Sequence, residues 1–153
     1  MQIQLNTLAE TQAFAAQLAG YVQLGDVITL KGTLGAGKSE FARAFIKTLA
    51  GQNTVVPSPT FTILEQYQTP SFLISHFDLY RLESPEELEE LGFDEAIAGG
   101  VTLIEWPERL GNYALTQLLE IEFQADPMTE VRTVDLKAYG SWIEKFISML
   151  IYK

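Results

Sequence analysis

Cysteine is absent from the 153 residues, and histidine occurs once, at His76. Disulfides, thiolate metal sites and cysteine nucleophiles are thereby excluded, and a multi-histidine zinc site cannot form. Long apolar runs are missing too. None approaches the roughly 20 residues that a membrane-spanning helix needs. The opening MQIQLNTLAETQ lacks the positive cluster and apolar block of a secretory signal. The expectation is a cytoplasmic protein with no membrane partner. Basic runs are also absent. Ten Lys and Arg are scattered among twenty Asp and Glu, for a net charge of -10. Such a surface repels a phosphate backbone, so any nucleic acid in this protein's work is expected to sit on a partner.

What is present reads as one globular domain over residues 1–153, 47% hydrophobic and 20% charged. Thr7 and Glu10 form a capping box ahead of an apolar stripe at Leu8, Phe14, Ala15, Leu18 and Val22, which predicts a helix over Leu8 to Tyr21. Val27 to Leu30 reads as a buried strand, and Ser39 to Ala50 as a helix stopped by Gly51. Phe61 to Tyr67 and Phe72 to Phe77 predict a hairpin across Thr69-Pro70-Ser71. Ser84 and Glu87 suggest a second capping box opening a short acidic helix to Leu91, followed by a helical turn over Asp94 to Ala98. Val101 to Glu105 is a strand, Leu118 to Gln124 and Val131 to Lys137 an antiparallel pair, and Gly140 to Ile151 a closing amphipathic helix carrying Trp142, Phe146, Met149 and Leu150. This alternation predicts an α/β fold with a mixed, partly antiparallel sheet.

Between the first strand and the second helix lies GTLGAGKS, which satisfies G-x-x-x-x-G-K-[ST] at Gly32, Gly37, Lys38 and Ser39. Each residue type has a reason. Glycines let successive backbone N–H groups turn inward around phosphate oxygens. The start of the following helix adds its positive dipole end. Lys38 brings a mobile charge for the outer phosphates, and Ser39 a hydroxyl for Mg²⁺. The dinucleotide pattern G-x-G-x-x-G fails, because Glu40 stands at the third glycine position. No N-K-x-D signature for guanine occurs, so ATP is the expected nucleotide.

A nucleotide loop needs an acid at the carboxyl end of a neighbouring strand. Asp78 closes FLISHFD and Glu105 closes VTLIE. The pattern leaves open which of them meets the metal. His76 shares a strand face with Asp78 and reads as a partly buried structural histidine before it reads as a base. No arginine obviously serves the loop; Arg43 and Arg81 are the candidates.

Four separated motifs then line up. GTLGAGKS, SPTF (Ser58 to Phe61), HFDLYRL (His76 to Leu82) and IEWPERL (Ile104 to Leu110) resemble those of the TsaE (YjeE) family of bacterial P-loop ATPases, over Leu30 to Leu110. The resemblance implies a three-layer fold of the P-loop NTPase type. It also implies an ATPase, weak alone, that docks on TsaD-like and TsaB-like proteins. That pair modifies tRNA with threonylcarbamoyl-adenosine, and ATP hydrolysis resets the complex. On this resemblance Gly35, Ala36, Gly37, Lys38 and Ser39 cradle phosphates, and Ser39 and Glu105 ligate Mg²⁺. Asp78 acts near the γ-phosphate, Thr60 is switch-like, and Trp106 sits beside the metal ligand. Three positions depart from the family pattern: Thr33 for aspartate, Ser39 for threonine and Glu40 for threonine. Two other functions fit the same loop, a small-molecule kinase and a nucleotide switch that does not hydrolyse.

Overall fold

The computed structural model describes residues 1–33 and 35–151, the side chains of Leu150 and Ile151 excepted. Leu34 of the glycine loop and the side chain of Leu150 in the closing stripe thus lie outside what is described.

Seven strands form one mixed sheet: β1 (Gln2–Leu5), β2 (Val27–Lys31), β3 (Leu64–Gln68), β4 (Leu73–Asp78), β5 (Gly100–Glu105), β6 (Leu118–Ala125) and β7 (Arg132–Ala138). Their spatial order is β1-β7-β6-β2-β5-β4-β3. The centre is parallel, with β2 paired to β5 and β6, and β4 to β5. The flanks are antiparallel, β3 with β4 and β6 with β7. Helices α1 (Leu8–Ala19), α2 (Lys38–Ala50) and α5 (Trp142–Ile151) accompany one face; α3 (Glu87–Glu90) and α4 (Phe93–Gly99) cover the other.

Strand alternation sorts the two cores. Ile28, Leu30, Ile74, Val101, Leu103, Leu119, Ile121 and Phe123 point toward α1, α2 and α5. Val27, Phe77, Ile104 and Leu118 meet Leu88, Phe93 and Ala96 on the opposite side. The central strands are buried on both faces, as parallel strands are. On the first face Phe41 packs against Phe14, Phe45 and Phe123 with ring centroids 5.8–6.0 Å apart. These rings seat α2 directly behind the glycine loop.

Most sequence expectations hold with shifted ends. Helix α1 stops at Ala19, because the Gly20 N–H folds back to the carbonyl of Gln17. Thr7 does cap it, accepting from the Glu10 N–H at 3.1 Å, while Glu10 accepts from the N–H of Asn6. The second box forms differently. Glu87 accepts from the N–H of Glu83 at 3.2 Å, the N-cap of α3 is Glu86 with no side-chain bond, and α3 is a single turn. Strand β1 and a 3-10 turn at Pro107–Leu110 have no counterpart in the expectations. No helix among the described residues is long and apolar enough to cross a membrane.

Candidate functional site

A cleft of about 440 Å³ opens at the carboxyl ends of β2, β4 and β5. Gly35, Gly37, Lys38, Ser39, Glu40, Ser58, Thr60, Asp78, Tyr80, Glu105 and Trp106 line it. Of the residues expected to hold phosphates, metal or water, all are therefore here except Ala36. Ala36 is fully buried in the core and has only its backbone to offer.

The loop turns as its glycines require. Gly35 and Gly37 have φ of 81° and 119°, a region that side-chain-bearing residues avoid. Gly37 caps α2 with no side-chain hydrogen bond to the helix's first N–H groups, and Lys38, Ser39 and Glu40 of its first turn line the cleft. Lys38 is buried at 6% exposure. Its ammonium donates to the carbonyl of Gly32 at 2.7 Å and lies 4.4 Å from the centre of the Trp106 ring. The lysine thus lies across its own loop, against an aromatic face that attracts cations.

The acids come from adjacent parallel strands. Asp78 stands opposite Glu105 in the register of β4 and β5. Both are buried, at 5% and 6% exposure. Asp78 has both oxygens engaged: Oδ1 accepts from the Tyr80 N–H at 3.0 Å, and Oδ2 from the Thr60 hydroxyl at 3.2 Å. Thr60 in turn meets the Ser58 hydroxyl at 2.7 Å. Glu105 Oε2 takes the Nε2 of His76 at 2.7 Å. Two non-glycine residues with positive φ flank these acids, Ile63 at 67° and Trp106 at 59°. Such backbone is strained for bulky side chains and clusters at functional sites. The Ile63 carbonyl accepts from the Asp78 N–H at 2.8 Å, which ties the SPTF segment to β4.

The donor chemistry suits a hard divalent cation. Ser39 brings a hydroxyl, and Asp78 and Glu105 bring carboxylates, all oxygen ligands of the kind Mg²⁺ takes alongside phosphate and water. No cluster of three or more His, Asp or Glu side chains fit to hold a metal occurs among the described residues.

The arginine expectations are revised. Arg43 lines a shallow groove between α1 and α2, and Arg81 lies exposed over the Phe61 ring, 4.5 Å from its centre; neither lines the cleft. Arg132, at the start of β7, reaches the loop instead. Its Nη2 donates to the Gly35 carbonyl at 3.5 Å. It lies 97 positions away in sequence, so local reasoning had no signal for it. Thr33 is exposed and borders a separate groove with Lys31 and Glu108; Glu40 lines the cleft rim.

The sheet order, the glycine-capped helix and the strand-end acids define a three-layer α/β protein of the P-loop NTPase fold type. Comparison with known proteins narrows this. The family model described as threonylcarbamoyl adenosine biosynthesis protein TsaE matches residues 5–134. The tRNA threonylcarbamoyladenosine biosynthesis protein TsaE of Rickettsia bellii is 46% identical over 120 residues, covering 78% of this chain and 83% of the relative. The protein of the same name from Bacillus subtilis is 42% identical over 113 residues, covering 73% and 70%. The crystal structure of Bacillus subtilis YdiB superposes with a TM-score of 0.75 at 30% identity, covering 99% of this chain and 94% of that one. The chain belongs to the TsaE family, whose proteins serve tRNA threonylcarbamoyladenosine biosynthesis.

Proposed function

We propose that the protein is a Mg²⁺-dependent ATPase of the cytoplasm that drives a tRNA-modifying complex of TsaD-like and TsaB-like proteins. The observation that carries this reading is the meeting of Gly35, Gly37, Lys38 and Ser39 with Thr60, Asp78 and Glu105 in one cleft. In this reading the backbone from Gly35 to Ser39 binds the phosphates. Lys38 exchanges the Gly32 carbonyl for the outer phosphates. Ser39 and Glu105 hold the cation, which neutralises phosphate charge when bound. Asp78, aligned by Thr60 and the Tyr80 N–H, orients the attacking water near the γ-phosphate. The tRNA rests on the partner proteins.

The test is phosphate release from ATP by the purified chain, with and without the TsaD-like and TsaB-like pair and tRNA. Slow turnover alone and marked stimulation by the pair are expected. Asp78→Ala should lower turnover by at least about 100-fold and leave nucleotide binding intact, whereas Lys38→Ala should weaken both. A rate indifferent to the pair, or full turnover in Asp78→Ala, contradicts the assignment. Labelled phosphate appearing on a small acceptor would point to a kinase instead.

A further inference from the structure

We propose that His76 is a positioning residue: its Nε2–H pins one oxygen of the Glu105 carboxylate, so that the other is presented to a divalent cation in the cleft. The inference rests on the reading of Glu105 as a metal ligand.

His76 lies on β4 two residues before Asp78, on the sheet face shared with Ile74, Val101 and Leu103. Those three neighbours are fully buried, and His76 is 2% exposed. An imidazole in such surroundings is costly unless its polar atoms are paired. Only one of them is. Nε2 meets Glu105 Oε2 at 2.7 Å, and Nδ1 is buried with no hydrogen-bond partner among the described residues. A proton on Nδ1 would be a buried donor with nothing to accept it, so the hydrogen-bond pattern assigns the proton to Nε2. The ring then has one polar role, donation to Glu105.

The two cleft acids are held differently. Both oxygens of Asp78 already accept from the protein. Glu105 accepts only at Oε2 among the described hydrogen bonds. The register explains the contact: His76 stands opposite Leu103, one same-face step short of Glu105, and its ring bridges that step. Without the imidazole, the glutamate chain is free to rotate and its oxygen must be ordered at the cation's expense. Outer partners of metal ligands typically contribute about 10- to 100-fold in metal affinity.

The test measures binding, not turnover. A non-hydrolysable ATP analogue is titrated calorimetrically into the full chain, first in EDTA and then at rising Mg²⁺. His76→Leu removes the donor; His76→Gln keeps one at similar reach. The expected result is analogue affinity in EDTA unchanged by His76→Leu, a Mg²⁺ half-effect shifted about 10- to 100-fold upward, and recovery of most of the shift by His76→Gln. A His76→Leu protein with the wild-type Mg²⁺ response, or His76→Gln as impaired as His76→Leu, overturns the proposal. If Glu105→Gln abolishes the Mg²⁺ effect while His76→Leu keeps it, the positioning role fails and the metal reading stands. If the wild type shows no Mg²⁺ effect, or Glu105→Gln retains it in full, both fall. Because His76 is the only histidine, its ring nitrogens can also be read in the unaltered protein by ¹⁵N NMR. The proposal expects the proton on Nε2 and a shift of that signal when Mg²⁺ joins the bound analogue; a proton on Nδ1 overturns it.

Discussion

Gly100 shows how tightly single residues set the sheet that carries the site. It opens β5 beside Leu73 of β4, and a Cβ placed on it would stand 2.0 Å from the Leu73 carbonyl oxygen. Its backbone is extended, with φ of -166°, so the constraint is steric and not conformational. The neighbour is backbone and cannot rotate aside. Gly100→Ala should therefore force β4 and β5 apart at their start and lower stability by about 1–3 kcal/mol, measured by urea denaturation. Loss at the high end should also loosen the Asp78–Glu105 register at the far end of the same strands. An unchanged midpoint would mean that the strands part there at no cost. Lys38 and Trp106 make the complementary point: the motif named the lysine, but only the folded chain shows which ring it lies against.

Among the elements, α5 is held by more than its apolar stripe. Lys145 forms an ion pair with Asp26, in the turn that leads into β2. Asp26 is 2% exposed and accepts from the Gln23 N–H at 2.8 Å as well. The same ammonium lies 4.4 Å from the centre of the Trp142 ring, one helical turn earlier. A buried pair is not in itself strong support for stability, but removing one partner strands the other in the interior. Lys145→Met keeps the stem's packing and leaves the Asp26 carboxylate without its cation. The expected cost is about 3–5 kcal/mol, a large share of the 5–15 kcal/mol typical of a domain. Denaturant unfolding checks it, and the double variant Lys145→Met with Asp26→Asn should recover part of the loss.

At the scale of the whole molecule, charge bears on what this chain can bind by itself. The net charge is -10, and three of the ten cations are engaged locally: Lys38 on the loop, Arg132 on the Gly35 carbonyl, Lys145 on Asp26. The others are scattered along the sequence and form no run to follow a phosphate backbone. The isolated chain should show no salt-dependent binding to tRNA in fluorescence anisotropy at physiological ionic strength, and binding should appear only with the partner proteins present. Tight binding that falls steeply with added salt would reveal a basic face that the residue distribution does not suggest.

The sequence alone determined the parts that depend on near neighbours. GTLGAGKS specifies its own turn and the helix it opens, because glycine φ angles and helix-end N–H groups are local properties. Asp78 and Glu105 were legible as strand-end acids, since each closes an apolar run. Strand β1 was not legible: QIQL has one buried residue in four and forms only by pairing with β7, some 130 positions away. Nor did the SPTF segment reveal that Thr60 would donate to Asp78, or that Ile63 would take a left-handed backbone to anchor it. Only the tertiary structure decided those contacts, together with the approach of Arg132 to Gly35 and of His76 to Glu105. The physical reason is register. Which residues stand opposite one another across strands is set by the order β1-β7-β6-β2-β5-β4-β3, and that order comes from packing two apolar faces at once, which no single stretch of chain encodes.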